Sequence, residues 1–390
     1  MKLNPSLTPL GIMLQVLMLR SAAAFTPMNF SRRALSQSSL NGRATFLFQN
    51  KYPSLSASLA SKTKLAMTIA TEEELEPYKN KNNIDDQIVS CISGNGEIKV
   101  TACTVRNLVN DVMIQQSLTA TPADALARSM TCGLLLSNGM QKEQTFQMTM
   151  ACDGPIRSVL SIADGAGKVR GYVGNPGLGD MHISEAVGKG TVQIVKMHPD
   201  WPTPYNGVTA IEHGDVDRDV GIYLASSEQR ACALAAASNI NGILCTAAGG
   251  YIVEQLPGCT PETSAQVEKN LSMLVEKDGS DTLPAGILLG GGTPLDICSA
   301  VLQNLDLKPL QQIAPELSRD CCSEERLFRA IRLLPREEVD KILAEEEKLE
   351  ARCDFCGTVY RMEPEQVAEK FEAASGDPSL DEDFNDDKTN

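Results

Sequence analysis

Four of the twelve cysteines in this 390-residue chain have a spacing that can do chemistry. Cys353-Asp354-Phe355-Cys356-Gly357 is a knuckle. Two thiolates reach one metal ion from a tight turn, and Gly357 tolerates the positive φ that such a turn needs. About thirty residues upstream stands Asp320-Cys321-Cys322-Ser323. A second thiol pair there can complete a tetrahedral four-sulfur site. Four Cys without His favour zinc over other metals. The same thiolates admit three roles. One is a purely structural zinc site. The second is a redox switch, in which oxidation to disulfides ejects the metal and removes the support of its domain. The third is a nucleic-acid zinc ribbon.

Nothing else reads as a catalytic constellation. Gly290-Gly291-Gly292 lacks the Lys-Ser/Thr of a phosphate loop and reads as flexible loop. His182, His198 and His213 stand among Pro, Asp and Gly and read as solvated or capping residues. Cys91, Cys103, Cys132, Cys152, Cys232 and Cys245 lie in apolar or small-residue segments and read as core thiols. Cys259 and Cys298 lie nearer loops and take no role. An enzymatic reading is a thiol oxidoreductase acting through Cys353 and Cys356. It needs the motif at a helix N-terminus, which depresses a thiol pKa. Gly357-Thr358-Val359-Tyr360 reads as strand instead.

The elements that must position the cysteines are two helices, Glu324 to Leu334 and Pro335 to Glu347. Together with the knuckle they make a domain of about 45 residues over 320–362, too small to stand without the metal. Before it, residues 277–319 are too apolar for a solvated linker and too broken by Gly and Pro for a core. One short helix is expected there, with Thr293 as N-cap, Pro294 in the first turn and Cys298, Val301, Leu302 and Leu305 on one face. Such a segment is ordered only by docking on its neighbours, which suits a metastable linker.

Residues 80–276 read as an α+β domain of mixed sheet and helix. Ile88 to Ser93 and Ile98 to Val105 form a hairpin turning at Asn95-Gly96. Thr121 to Ser137 reads as a helix with Thr121 as its N-cap. Gln144 to Cys152, Ser158 to Ala163, Gly167 to Val173 and Gly190 to Met197 read as strands. Ser226 to Ser238 and Glu262 to Val275 read as helices, with a strand-like piece around Tyr251.

Charge divides the chain. Eight of the 35 basic residues lie in residues 1–70, and all 50 acids follow, leaving −23 on the remainder of a chain whose total is −15. That acidity and 4% aromatic residues argue against nucleic acid as a partner. Residues 1–24 have the apolar run and small-residue cleavage pattern of a signal peptide, and residues 25–70 the Ser- and Arg-rich composition of a transit peptide. The pair resembles the bipartite presequence of complex plastids, so the expected location is the plastid stroma, with secretion as the alternative. No other stretch is long and apolar enough to span a bilayer, so the processed protein is expected to act away from the membrane. Residues 363–390 read as an acidic tail, with five acids in the last ten residues.

From about residue 86 to 362 the chain resembles the 33 kDa heat-shock chaperone family. The resemblance is carried in order by Asp153-Gly154-Pro155, Val187-Gly-Lys-Gly190, Tyr205-Asn-Gly207-Val208 and Gly214-Asp-Val-Asp-Arg-Asp219. Ser227-Glu228-Gln229, Gly249-Gly250-Tyr251, Gln255-Leu256-Pro257, Cys322-Ser323 and Cys353-x-x-Cys356 follow. It implies an ATP-independent holdase that binds unfolding proteins after oxidation, with zinc held by Cys321, Cys322, Cys353 and Cys356. It also implies a Cys353–Cys356 disulfide, a second bridge involving Cys321 and Cys322, and dimerisation in the active state. One departure stands out. The family's upstream pair is Cys-x-Cys-Ser, whereas this chain has Asp320 at the first cysteine position. Either Cys321 or the Asp320 carboxylate can supply that ligand, since zinc accepts oxygen.

Overall fold

The computed structural model describes residues 85–278, 283–319, 321–346 and 348–375. The leader segments 1–24 and 25–70, the carboxylate of Asp320 and the last part of the acidic tail lie outside the described residues. The described chain forms two units, one ending at Ser318 and one beginning at Arg319.

The larger unit starts with the expected hairpin, β1 (Ile88–Ile92) and β2 (Ile98–Thr104). Its turn closes through the Gly96 N–H donating to the Ser93 carbonyl at 2.9 Å, with Gly96 at φ 76°. Two helices follow, α1 (Arg106–Gln116) and α2 (Ala120–Ser137). The next strands are β3 (Thr145–Cys152), β4 (Ser158–Asp164), β5 (Lys168–Val173), β6 (Gly190–Met197) and β7 (Tyr205–Ile211), with α3 (Ile183–Val187) before β6. Then come α4 (Val216–Ser226), β8 (Cys232–Asn241), β9 (Leu244–Gln255) and α5 (Pro261–Asp278). The last pieces are α6 (Leu283–Leu289), α7 (Pro294–Val301), β10 (Lys308–Ile313) and β11 (Glu316–Leu317).

The strands make a five-stranded sheet in the order β10-β1-β2-β9-β8 and a six-stranded sheet in the order β11-β5-β4-β3-β6-β7. All neighbours are antiparallel except β11, which runs parallel to β5. Helix α2 packs against strands of both sheets and is buried on nearly every side, as an all-round apolar helix requires. Leu126, Met130 and Leu134 meet Phe146, Met148 and Val159 from one sheet and Leu234 and Ile252 from the other in one continuous core. This is the α+β arrangement that the sequence predicts.

A second core lies on the other face of the five-stranded sheet. There Val89, Val100 and Val253 meet Val267 and Leu271 of α5 and Ile297, Cys298 and Val301 of α7. Residues 283–318, placed by sequence in the linker, therefore cover a sheet face and add β10 to that sheet's edge. Sequence foresees only α7 in this stretch. The Thr293 cap is present as a capping box, since Thr293 Oγ1 accepts from the Asp296 N–H and the Asp296 carboxylate accepts from the Thr293 N–H.

Two sequence expectations fail here. Ser226 to Ser238 is not a helix: α4 ends at Ser226, and Cys232–Asn241 is a strand paired with β9 along its length. Its alanines favour a helix locally, but the ladder to β9 and the close approach of α2 override that propensity. The N-cap position of α2 is Thr119, not Thr121; the Thr121 hydroxyl donates instead to the Met181 carbonyl at 3.0 Å.

The smaller unit contains α8 (Glu324–Arg332), α9 (Arg336–Glu346), the hairpin β12 (Leu349–Arg352) with β13 (Val359–Met362), and α10 (Pro364–Ser375). Helix α10 extends this unit past residue 362. Its Val367 is fully buried with Leu327, Ile331, Val339, Leu349 and Met362, and Phe371 packs edge-on to Phe328. The stretch 363–375, assigned by composition to the tail, thus contributes to the small core.

Candidate metal centre

The four cysteines of the smaller unit come from two local devices. Ser323 caps α8 by accepting the Arg326 N–H at 3.1 Å, which sets Cys321 and Cys322 just before the first turn. The other pair sits in the turn between β12 and β13. In β12 Leu349 and Ala351 face the core while Glu350 and Arg352 face out, which fixes the register of the hairpin. The turn closes through the Gly357 N–H donating to the Cys353 carbonyl at 2.8 Å and the Cys353 N–H donating to the Thr358 carbonyl at 2.9 Å. Gly357 stands at φ 70°, the conformation expected of a knuckle glycine.

The sulfur atoms of Cys321, Cys322, Cys353 and Cys356 all lie within 4.8 Å of one another. Cys322 and Cys356 are 3.4 Å apart, and Cys321 lies 3.9 Å from both Cys322 and Cys353. Sulfurs at about 2.3 Å from one tetrahedral zinc lie about 3.8 Å from each other, so the donor set fits such an ion in size and chemistry. The adjacent residues Cys321 and Cys322 both turn inward. A metal could draw on both sulfurs.

Burial and hydrogen bonding divide the thiols. Burial pushes Cys353 far above the usual thiol range. It also raises Cys321, to about 11, with the hydrogen bond to Cys356 acting in the same direction. At Cys356 burial again opposes ionisation, but hydrogen bonds from the Thr358 hydroxyl and backbone and from Cys322 outweigh it and bring the pKa down to about 7. Two residues that sequence reasoning missed shape this pocket. Thr358 Oγ1 is 3.1 Å from Cys356 Sγ, and the Tyr360 hydroxyl donates to Cys322 Sγ at 3.2 Å. Their positions just beyond the Cys-x-x-Cys turn were the available signal.

The histidines are not brought to this cluster. His182 caps α3, accepting the Ser184 N–H, and His198 accepts the Asp200 N–H at 3.1 Å. His213 lies beside buried Asp219. The other sequence motifs hold the fold. Asp153 accepts the Lys189 N–H, and Asp219 accepts the N–H groups of Glu212, His213 and Asp215. Asp217 takes both the Arg128 guanidinium and the Ala236 N–H. Among the described residues, no helix is long and apolar enough to cross a membrane.

Comparison with known proteins agrees with these features. A 33 kDa chaperonin of Acaryochloris marina is 31% identical over 290 residues, covering 72% of this chain and 95% of that protein. A 33 kDa chaperonin of Caldanaerobacter subterraneus is 31% identical over 300 residues, covering 74% and 99% respectively. The crystal structure of the 33 kDa chaperonin of Thermotoga maritima has the same fold, with a TM-score of 0.67 at 20% identity, over 75% of this chain and all of that one. The profile of the Hsp33 protein family matches residues 86–363, so the chain belongs to the Hsp33 family.

Proposed function

We propose that this protein is a redox-regulated, ATP-independent holdase that binds unfolding proteins under oxidative stress. The observation that carries the reading is the four-sulfur cluster built into a unit with a very small core. Among the described residues the core of this unit has nine buried apolar side chains, too few to hold it without a staple. Zinc, when bound by Cys321, Cys322, Cys353 and Cys356, keeps the sulfurs as thiolates and ties the start of α8 to the β12–β13 turn.

Oxidation removes that staple. A peroxide takes two electrons from Cys353 and Cys356, their sulfurs join in a disulfide, and the peroxide leaves as water. Cys321 and Cys322 then lose their partners, and the small unit loses its support. Residues 283–318 follow it in our reading, uncovering the apolar face around Val89, Val100 and Val253 for unfolded clients. The acidic exterior keeps the loaded protein in solution. Oxidised chains pair as homodimers, and residues 1–70 direct the protein to the plastid stroma. A fusion of residues 1–70 to a fluorescent protein tests the address: secretion would replace the plastid assignment.

The decisive experiment follows zinc content, free thiols and aggregation of a heat-unfolded client, before and after peroxide with mild heat. Zinc release with suppressed aggregation is expected. Retained zinc with unchanged aggregation would sink the reading. The oxidoreductase alternative is disfavoured because the Cys353–Cys356 turn joins two strands rather than opening a helix. Insulin reduction at rates typical of thiol oxidoreductases would revive it. Client binding by Cys353→Ser that is constant under all redox conditions would favour a passive zinc-stabilised module.

A further inference from the structure

We propose that Tyr360 is a positioning residue of the metal site: its hydroxyl holds the Cys322 sulfur by a hydrogen bond and lowers that sulfur's reactivity towards oxidants. The role rests on the reading of the four cysteines as a metal site.

Packing builds this contact. Tyr360 lies in β13, opposite Ala351 of β12. Ala351 and Met362 are buried in the small core, and Tyr360, half-buried on the same side of the hairpin, packs its ring against that core. A tyrosine so placed buries its ring and needs a partner for its hydroxyl at the rim. The partner is Cys322 Sγ at 3.2 Å, 38 residues away in the chain. Thr358 Oγ1, 3.1 Å from Cys356 Sγ, differs in kind: it shares a turn with that cysteine, so local geometry already brings the two together. Tyr360 and Cys322 stand on different elements, and only the fold of the small unit joins them. The hydroxyl reaches from the hairpin to the residue before the Ser323 cap, alongside the contact of Cys322 with Cys356.

The direction of the bond follows from the chemistry. A thiolate has lone pairs and no proton, so beside a thiolate the phenol is the donor. A hydrogen bond to a charged acceptor is about twice as strong as one between neutral groups. It fixes the sulfur in place, as outer hydrogen bonds fix other metal ligands. It also draws charge from the sulfur towards the phenol proton, which makes the sulfur a poorer nucleophile. Reaction with a peroxide needs that charge. The sulfur's electron pair forms an S–O bond, the O–O bond breaks, and the other oxygen leaves as hydroxide, giving a sulfenic acid. Tyr360 thus raises the oxidant dose at which Cys322 reacts and is lost as a ligand.

The test uses the full-length reduced protein loaded with zinc, or with cobalt(II) in its place, whose sulfur-to-metal charge-transfer band reports the charge on the thiolates. Tyr360→Phe keeps the ring and removes only the hydroxyl. It is expected to weaken zinc binding about tenfold in competition with a chromogenic chelator. The band is expected to move to lower energy, and dimedone trapping of Cys322 sulfenic acid under limiting peroxide to become faster. Fluorotyrosine at position 360 fills nearly the same space and donates more strongly, so it moves the band to higher energy. An unmoved band with wild-type zinc affinity in both proteins overturns the proposal. If the Phe protein fails to fold, the fluorotyrosine protein decides alone, and an unmoved band there overturns it. A wild-type chain that takes up neither metal overturns the proposal together with the metal-site reading. Opposite band shifts in a protein whose client aggregation is unaffected by oxidation leave the proposal standing and sink the holdase reading.

Discussion

The sulfur atoms of Cys322 and Cys356 lie 3.4 Å apart across 34 residues of chain. One is held by the N-terminus of α8 and the other by the β12–β13 turn. Their contact joins the two halves of the small unit at one point. Cys321 lies equally close to Cys353 and to Cys322, at 3.9 Å, so the upstream half supplies two sulfurs to the cluster.

Substitution separates the two candidates for the first ligand, Cys321 and Asp320. Cys321→Ser is expected to weaken zinc binding at least tenfold, whereas Asp320→Ala leaves it nearly unchanged. Competition with a chromogenic chelator, with one zinc per chain as the reference, reads the difference. Equal losses in the two variants would return the carboxylate to the site.

In reductant and chelator, the structure that the small unit retains is expected to be most stable between the shifted thiol values, about 7 for Cys356 and about 11 for Cys321. The folded pKa of Cys356 is lowered to about 7, so its contribution is present above the ordinary thiol value and is lost as pH falls towards 7. Cys321 is raised to about 11, so its contribution is present below the ordinary value and is lost as pH rises towards 11. Thermal unfolding in reductant and chelator between pH 6.5 and 11 checks both limbs. Cys356→Ser should flatten the acid limb alone.

Arg128 carries the heaviest buried electrostatic load of the larger unit's helix α2. Its guanidinium meets Asp124 at 2.9 Å, Asp217 at 3.1 Å and Asp215 at 3.4 Å. Burial, with Asp217 alongside, already raises Asp215 to about 7. Arg128→Met leaves three carboxylates without their cation and is expected to cost about 3 kcal/mol in denaturant unfolding. A loss below about 1 kcal/mol would mean that solvent screens the cluster.

The capping box of α7 sets how readily that helix leaves the sheet. Thr293→Ala removes the acceptor for the Asp296 N–H and is expected to cost about 1 kcal/mol. If α7 opens on its own, its amides exchange roughly fivefold faster, and on the holdase reading client binding without oxidant rises. Unchanged exchange would show that α7 opens only with the whole unit.

Much of the site was legible in the chain. Cys-x-x-Cys-Gly announces its own turn, because the glycine conformation and the thiol spacing are local matters. The β1–β2 hairpin, the Thr293 cap and the helices α8 and α9 were legible for the same reason. Residues 232–241 were not: an alanine-rich run looks helical until the ladder to β9 and the nearness of α2 decide otherwise. The helix α10 was hidden in an acidic composition that masks Val367 and Phe371 as core residues.

By itself, then, the sequence determined which residues can bind a metal and which short elements carry them, since caps, turns and thiol spacing act within a few residues. The tertiary structure alone decided which distant partners meet. It brought the Cys321 and Cys322 sulfurs within 4.8 Å of those of Cys353 and Cys356 and laid residues 283–318 over a face of the five-stranded sheet. Contacts of that kind depend on packing between elements far apart in the chain, for which no local pattern exists.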